Sequence, residues 1–132
     1  MYANNLEMPV TLYRSTDDDA PALTKSNLSL ILKACLVTGY GSKPGAGWTM
    51  PYEDAAASKR VFAPAKSGEL DSYLRVADQT GVSRVAAYRQ MSDIDNGEAI
   101  LELATPYKHG QSKQWSGRWV VVASARSVIV WV

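Results

Sequence analysis

The chain has 132 residues, a length typical of one domain, and 46% of them are apolar, as in folded globular proteins. Its 14 basic and 13 acidic residues leave a net charge of +1, which excludes the basic excess typical of proteins that bind nucleic acid or anionic membranes. One cysteine excludes an internal disulfide, and one histidine excludes most zinc geometries. We therefore expect a soluble protein of a reducing compartment, with no metal, cofactor, specific nucleic acid or membrane as its partner.

The chain begins with a polar segment, and a short strand follows it. Residues 1–8 lack the features of a signal peptide. Residues 1–9 predict a flexible N-terminal arm, and residues 10–132 predict one globular domain. Val10 and Leu12 lie on one face of a β-prone run, which predicts a strand over residues 10–14.

The main helix is predicted by apolar residues that recur every three or four positions. These residues are Leu28, Ile31, Leu32, Cys35 and Leu36. The spacing predicts a helix over about residues 24–38, with Thr24 or Ser26 as its cap and Gly39 at its end.

The rest of the chain predicts strands, turns and one short helix. Glycines and prolines over residues 39–51 predict an irregular connection, residues 54–59 one helical turn, and residues 98–104 a short helix. The predicted strands span residues 60–63, 71–77, 83–91, 119–123 and 128–132. The second and third of these form a hairpin, and the last two, apolar on both faces, are predicted to be buried between two layers. The fold class is therefore α+β, with an antiparallel sheet of five or six strands packed by one main helix.

The side chains that could perform catalysis each have a simpler structural explanation. His109 lies in a polar stretch with no neighbour in sequence to orient its ring, which indicates an exposed loop. Cys35 lies on the apolar stripe of the helix, which favours core packing over nucleophilic chemistry. The sequence thus predicts no catalytic residue and favours a protein that is not an enzyme.

Three short motifs resemble ligand-binding loops only in part. Residues 93–97 lack the glycine and glutamate positions of a calcium-binding EF-hand, which favours a turn stabilised by aspartate side chains. Asp17, Asp18 and Asp19 are adjacent, so their side chains diverge and predict a solvated acidic turn. Residues 39–43 lack the order of a phosphate-binding loop and predict a structural loop packed by Tyr40 and Trp48.

The aromatic residues are mostly tryptophan and tyrosine, which suit either a core or a protein interface. The candidate interface residues are Trp48, Tyr52, Trp115 and Tyr40.

Several runs resemble a family of small structural proteins of tailed bacteriophages. They include LYRSTD at residues 12–17, CLVTGYGSK at 35–43, GWT at 47–49, YLRV at 73–76, MSDID at 91–95 and the closing WV pairs. Many relatives have a longer C-terminal half, and residues 1–8 are outside the shared pattern.

The resemblance implies a non-enzymatic virion component that is assembled in the bacterial cytoplasm. We expect an accessory head protein, either a decoration or a minor capsid protein, that binds the capsid lattice as a homo-oligomer within the particle. A neck or tail protein that contacts neck or tail subunits is the alternative. A small hydrolase or ligand-binding protein that uses residues 39–51 and His109 is the alternative of another class.

Overall fold

The computed structural model describes residues 9–24, 27–64, 72–79, 82–107 and 117–132. Short strands dominate these residues, and one helix follows the first strand. The elements are β1 (Thr11–Arg14), α1 (Leu28–Lys33), a π-helical turn (Ala34–Thr38), β2 (Trp48–Asp54), β3 (Lys59–Pro64), β4 (Tyr73–Gln79), β5 (Val82–Met91), β6 (Gly97–Tyr107), β7 (Val120–Ala123) and β8 (Val128–Trp131). No helix in the described ranges is long and apolar enough to cross a membrane.

The strands form two antiparallel sheets. The larger sheet has five strands in the order β2-β3-β4-β5-β6, and the smaller has three in the order β1-β7-β8. Helix α1 packs against β3 and β4 of the larger sheet, and the π-helical turn contacts β2 and β7. The predicted α+β class with a five-stranded antiparallel sheet is therefore confirmed, and the helical segment connects the two sheets.

The main core forms around the apolar stripe of the helix. Ile31, Cys35 and Leu36 are fully buried, as their spacing predicts. They share one cluster with Phe62 and Val76 of the larger sheet and with side chains of the smaller sheet, which are Tyr13, Val121 and Ala123. A second cluster, centred on Val61, Tyr88 and Met91, lies apart from it.

The helix begins later than its periodicity predicts. It starts at Leu28 rather than near residue 24. The side chain of Asn27 accepts a hydrogen bond from the Thr24 N–H and donates one to the Ala22 carbonyl, which holds the preceding residues in a loop. Thr24 therefore does not cap the helix, and Ser26 lies outside the described residues. Gly39 ends the helical segment as predicted, at a φ of 74°.

Three local predictions are wrong, and all three errors concern edge strands of the larger sheet. The segment predicted as a helical turn, residues 54–59, instead ends β2, turns over residues 55–58 and begins β3. β2 itself begins inside the predicted irregular connection, at Trp48. Residues 98–104 belong to strand β6 rather than to a helix, because they pair with residues 85–90 of β5.

The C-terminal hairpin forms as predicted, but β8 is not buried on both faces. Its side chains alternate, so that Val128 and Val130 pack toward the core whereas Ile129 and Trp131 are 54% and 55% exposed. The prediction failed because the smaller sheet packs on the core through one face only, and its other face also carries the half-buried Val120 and Val122 of β7.

Candidate functional site

An ion-pair cluster joins the first strand to the segment after the helix, residues 39–47, which we call the glycine-rich loop. Asp17 Oδ2 accepts hydrogen bonds from Lys43 Nζ at 2.8 Å, from the Tyr40 hydroxyl at 2.6 Å and from the Arg14 N–H at 2.8 Å. Lys43 also donates to the Leu12 carbonyl. We call Asp17, Tyr40 and Lys43, with the β1 backbone that they bind, the β1-edge cluster.

Aromatic rings surround the β1-edge cluster. The Tyr13 ring lies 5.7 Å from Lys43 Nζ and 6.0 Å from the Tyr40 ring, and its hydroxyl donates to the Pro44 carbonyl at 2.8 Å. Tyr40 meets Trp119 edge to face at 6.2 Å. The glycine-rich loop is thus held by one ion pair and several ring contacts, which confirms that Tyr40 packs it.

The charges of the cluster are fixed by these contacts. Partial burial by itself raises the pKa of Asp17, but the hydrogen bonds from Lys43, Tyr40 and the Arg14 N–H outweigh it and hold the pKa well below its usual range. Burial, and then the hydrogen bond to Asp17, raise the pKa of Tyr40 above its usual range. Asp17 therefore stays a carboxylate and Tyr40 a hydroxyl donor.

The cluster also covers the outer edge of β1. Ser15 donates its N–H to the Trp119 carbonyl, so the backbone N–H and C=O groups of Thr11 and Tyr13 also point toward β7. The backbone groups of Leu12 and Arg14 point the other way, away from the sheet. Lys43 and Asp17 bind the Leu12 carbonyl and the Arg14 N–H on that side. Backbone groups that an edge strand usually exposes are thus occupied by side chains of the same chain.

The smaller sheet has an open face that is largely apolar. Cross-strand pairing aligns Leu12 with Val122 and Ile129 in one row, and Arg14 with Val120 and Trp131 in the next. Leu12, Ile129 and Trp131 are exposed, whereas the opposite face of the sheet packs on the core. We call this surface the apolar sheet face, and its members are Val10, Leu12, Val120, Val122, Ile129 and Trp131.

A buried polar network fixes the start of the helix to the larger sheet. Asp78 Oδ2 accepts hydrogen bonds from the Ser29 N–H at 2.9 Å and from its hydroxyl at 2.5 Å, and Asp78 Oδ1 accepts one from Ser83 at 2.6 Å. The buried Arg60 donates to the Ser29 hydroxyl at 2.8 Å and to Glu53 at 2.8 Å. Asp78, on β4, thus caps the first turn of the helix from a strand that is distant in sequence, which is a structural role.

The predicted interface residues are distributed over several environments. Trp48 is only 8% exposed, and its indole donates to the Ser124 carbonyl at 2.8 Å, so it lies in the core. Tyr52 is half-buried and its hydroxyl donates to the Met91 carbonyl at 3.1 Å. Tyr40 belongs to the β1-edge cluster, and Trp115 lies outside the described residues. The structure does not bring the three described side chains, Trp48, Tyr52 and Tyr40, together on one surface.

The residues considered for chemistry have structural contacts where they are described. Cys35 is fully buried, and burial raises the pKa of its thiol to about 12. Asp93 accepts hydrogen bonds from the N–H groups of Asp95 and Asn96, which confirms the aspartate-stabilised turn. His109 lies outside the described residues. Within the described part of the chain, no group of three or more His, Cys, Asp or Glu side chains could hold a metal ion.

The apolar sheet face was not predicted from the sequence. Its signal was present in the alternation of Val10, Leu12 and Arg14 and in the uncharged run of residues 128–132.

Comparison of this chain with protein families, with curated proteins and with solved structures finds no match.

Proposed function

We propose that this chain is a non-enzymatic structural component of a tailed-bacteriophage virion, an accessory head protein that binds the capsid lattice through the apolar sheet face. The observation that carries the proposal is the group of exposed apolar side chains, Leu12, Ile129 and Trp131, in two adjacent rows of one open sheet face. A contiguous apolar patch on a small protein is typical of a surface that contacts another protein.

The residues that carry the family resemblance support this assignment by their position. The LYRSTD run supplies Leu12 to the apolar sheet face and Asp17 to the β1-edge cluster, and the GYGSK run supplies Tyr40 and Lys43 to the same cluster. The two runs therefore meet in space, and their joint effect is to hold β1, and with it Leu12, in place.

The contacts of Cys35 and of two aspartates support a structural role. Cys35 is buried with a raised pKa, and Asp17 and Asp78 each use their oxygens to join segments that are distant in sequence. Such contacts stabilise a rigid shape, which is what a subunit repeated on a symmetric shell requires.

Two exposed leucines provide a matched test. Leu12 is 43% exposed on the apolar sheet face, and Leu30 is 44% exposed on helix α1. In particles assembled with Leu12→Lys we expect at least a tenfold loss of copies per virion by quantitative mass spectrometry, because a lysine in the contact must be desolvated. Particles assembled with Leu30→Lys should keep the wild-type copy number, and equal losses in both variants would contradict the proposal.

The position in the particle separates the proposal from its alternatives. Electron cryomicroscopy of purified particles should place the protein at repeated lattice positions on the shell. A single ring near the portal would instead support a neck or tail protein. Absence from mature particles, together with an activity that is lost in His109→Ala, would support the hydrolase or ligand-binding alternative.

A further inference from the structure

We propose that the outer edge of β8 pairs with the same strand of a second copy, so that two three-stranded sheets join into one sheet of six strands. This inference deepens the proposed function, because it supplies the contact between copies in a homo-oligomer. Its role in a virion rests on the proposed function. The pairing itself is a property of the purified chain.

The two edges of the smaller sheet differ in how they are protected. The β1 edge is covered, since Lys43 binds the Leu12 carbonyl and Asp17 binds the Arg14 N–H. On the opposite side β8 pairs only with β7 among the described strands. Among the residues that the structure describes, the smaller sheet therefore has one open edge, and that edge fits an incoming strand.

The backbone pattern shows which groups of β8 an incoming strand would meet. Ser124 donates its N–H to the Ser127 carbonyl, so Ser127, Ile129 and Trp131 turn their backbone groups toward β7. Val128 and Val130 turn theirs away from the sheet. These outward N–H and C=O groups are the ones that an added strand would bind.

A second copy fits this edge because the edge is complementary to itself. Strand β8 has the sequence Val-Ile-Val-Trp, with no charge and no proline to oppose pairing. Antiparallel pairing centred on Val130 sets Ile129 opposite Trp131 of the partner subunit, and Trp131 opposite the partner's Ile129. Both contacts join an exposed aliphatic side chain to an exposed aromatic ring, a favourable cross-strand pair.

The pairing also extends the apolar sheet face. The row of Leu12, Val122 and Ile129 continues across the two-fold axis into Trp131 of the partner subunit. Arg14 lies two residues from Leu12 on β1, in the row of Val120 and Trp131, so this face carries one positive charge at its β1 side. The dimer would thus present twice the apolar area of one chain to a neighbouring protein.

The first experiment measures the mass of the purified full chain by sedimentation over a range of concentrations. We expect a dimer that dissociates on dilution, and a Val130→Pro variant that stays monomeric, because proline removes an outward N–H and leaves the β7–β8 ladder intact. A wild-type chain that is monomeric at every concentration would overturn the inference, as would a Val130→Pro variant that dimerises like the wild type.

The second experiment tests the register and does not depend on the proline variant. Ile129→Cys and Trp131→Cys chains, mixed and oxidised, should form a disulfide-linked heterodimer, since non-hydrogen-bonded cross-strand pairs have Cα atoms about 4.5 Å apart. Ile129→Cys alone should not cross-link, because two copies of residue 129 are diagonal neighbours. Cys35 is buried and does not compete.

A face-to-face contact would be recognised by a different pattern. In that case Leu12→Lys would abolish the dimer and the cysteine mixture would not cross-link, which would contradict edge pairing. The virion proposal is tested by copy number in particles, so either proposal can fail while the other survives.

Discussion

Lys43 Nζ lies 2.8 Å from Asp17 Oδ2, and this ion pair connects two sequence runs that are 26 residues apart. Both side chains also bind outward backbone groups of β1, namely the Leu12 carbonyl and the Arg14 N–H. One pair of charges therefore anchors the glycine-rich loop and protects a sheet edge at the same time. Its loss should affect both the stability of the chain and the surface that β1 presents.

Asp17→Asn should destabilise the fold by about 1.5–3 kcal/mol, the usual contribution of a hydrogen bond to a charged group. The substitution keeps the shape of the side chain but removes the charge that Lys43 and Tyr40 bind. Urea unfolding followed by tryptophan fluorescence would measure the change. Asp18→Asn is the matched control, because Asp18 is the exposed neighbour. A loss of stability that is the same in both variants would show that the β1-edge cluster contributes nothing specific.

The stability of the chain should fall in acid, partly through Asp17. Its folded pKa is lowered below the unfolded value of about 3.9, so the folded state binds fewer protons near that pH. The contribution of Asp17 is therefore complete above about pH 5 and is lost as the pH falls toward the folded pKa. Unfolding free energies measured from pH 7 to pH 3 should fall more steeply for the wild type than for Asp17→Asn. Parallel curves would contradict this assignment.

The sequence predicted the parts of the fold that depend on local pattern. The apolar stripe from Leu28 to Leu36 placed the helix in the core, and two alternating runs separated by a turn placed the β4–β5 hairpin. These elements are specified by the periodicity of side-chain burial, which a single sequence contains.

The errors arose where tertiary pairing outweighs local preference. Pro51 suggested an irregular segment, but β2 is an edge strand whose pairing with β3 shifts between Thr49 and Tyr52, and this irregularity accommodates a residue without an N–H. Residues 98–104 contain good helix formers, yet pairing with β5 makes them a strand. The Asp17–Lys43 pair could not be predicted, because nothing in either run specifies the other as its partner.

Asp78→Ala should destabilise the chain by about 3–5 kcal/mol, the usual cost of removing one partner from a buried charged network. The substitution removes the carboxylate that accepts hydrogen bonds from the Ser29 N–H and from the Ser29 and Ser83 hydroxyls. It also removes the group that orients the Ser29 hydroxyl toward the buried Arg60. Asp54→Ala removes a carboxylate that accepts one exposed hydrogen bond, from the Ala57 N–H, and should cost much less. Thermal unfolding followed by circular dichroism would compare the two, and a similar loss in both would contradict a special role for the network.

Cys35 should be unreactive in the folded chain. Burial raises the pKa of its thiol to about 12, so almost no thiolate is present at pH 8, and the side chain has no exposed surface. A thiol-reactive dye should label the native protein at least a hundredfold more slowly than the chain in denaturant. Rapid labelling of the native protein would show that the core opens around the helix, contrary to this expectation.

Gly39→Ala should be far more disruptive than Gly47→Ala, although both glycines have positive φ angles, of 74° and 100°. A Cβ on Gly39 would overlap the Lys43 carbonyl and lie 2.8 Å from the Gly45 nitrogen, whereas a Cβ on Gly47 would meet only the Ala125 Cβ at 3.9 Å. Gly47→Ala therefore adds backbone strain of about 1–3 kcal/mol, and Gly39→Ala adds a backbone collision that displaces the loop carrying Lys43. Urea unfolding of the two variants would test this difference, and losses of the same size would indicate that strain alone acts at both positions.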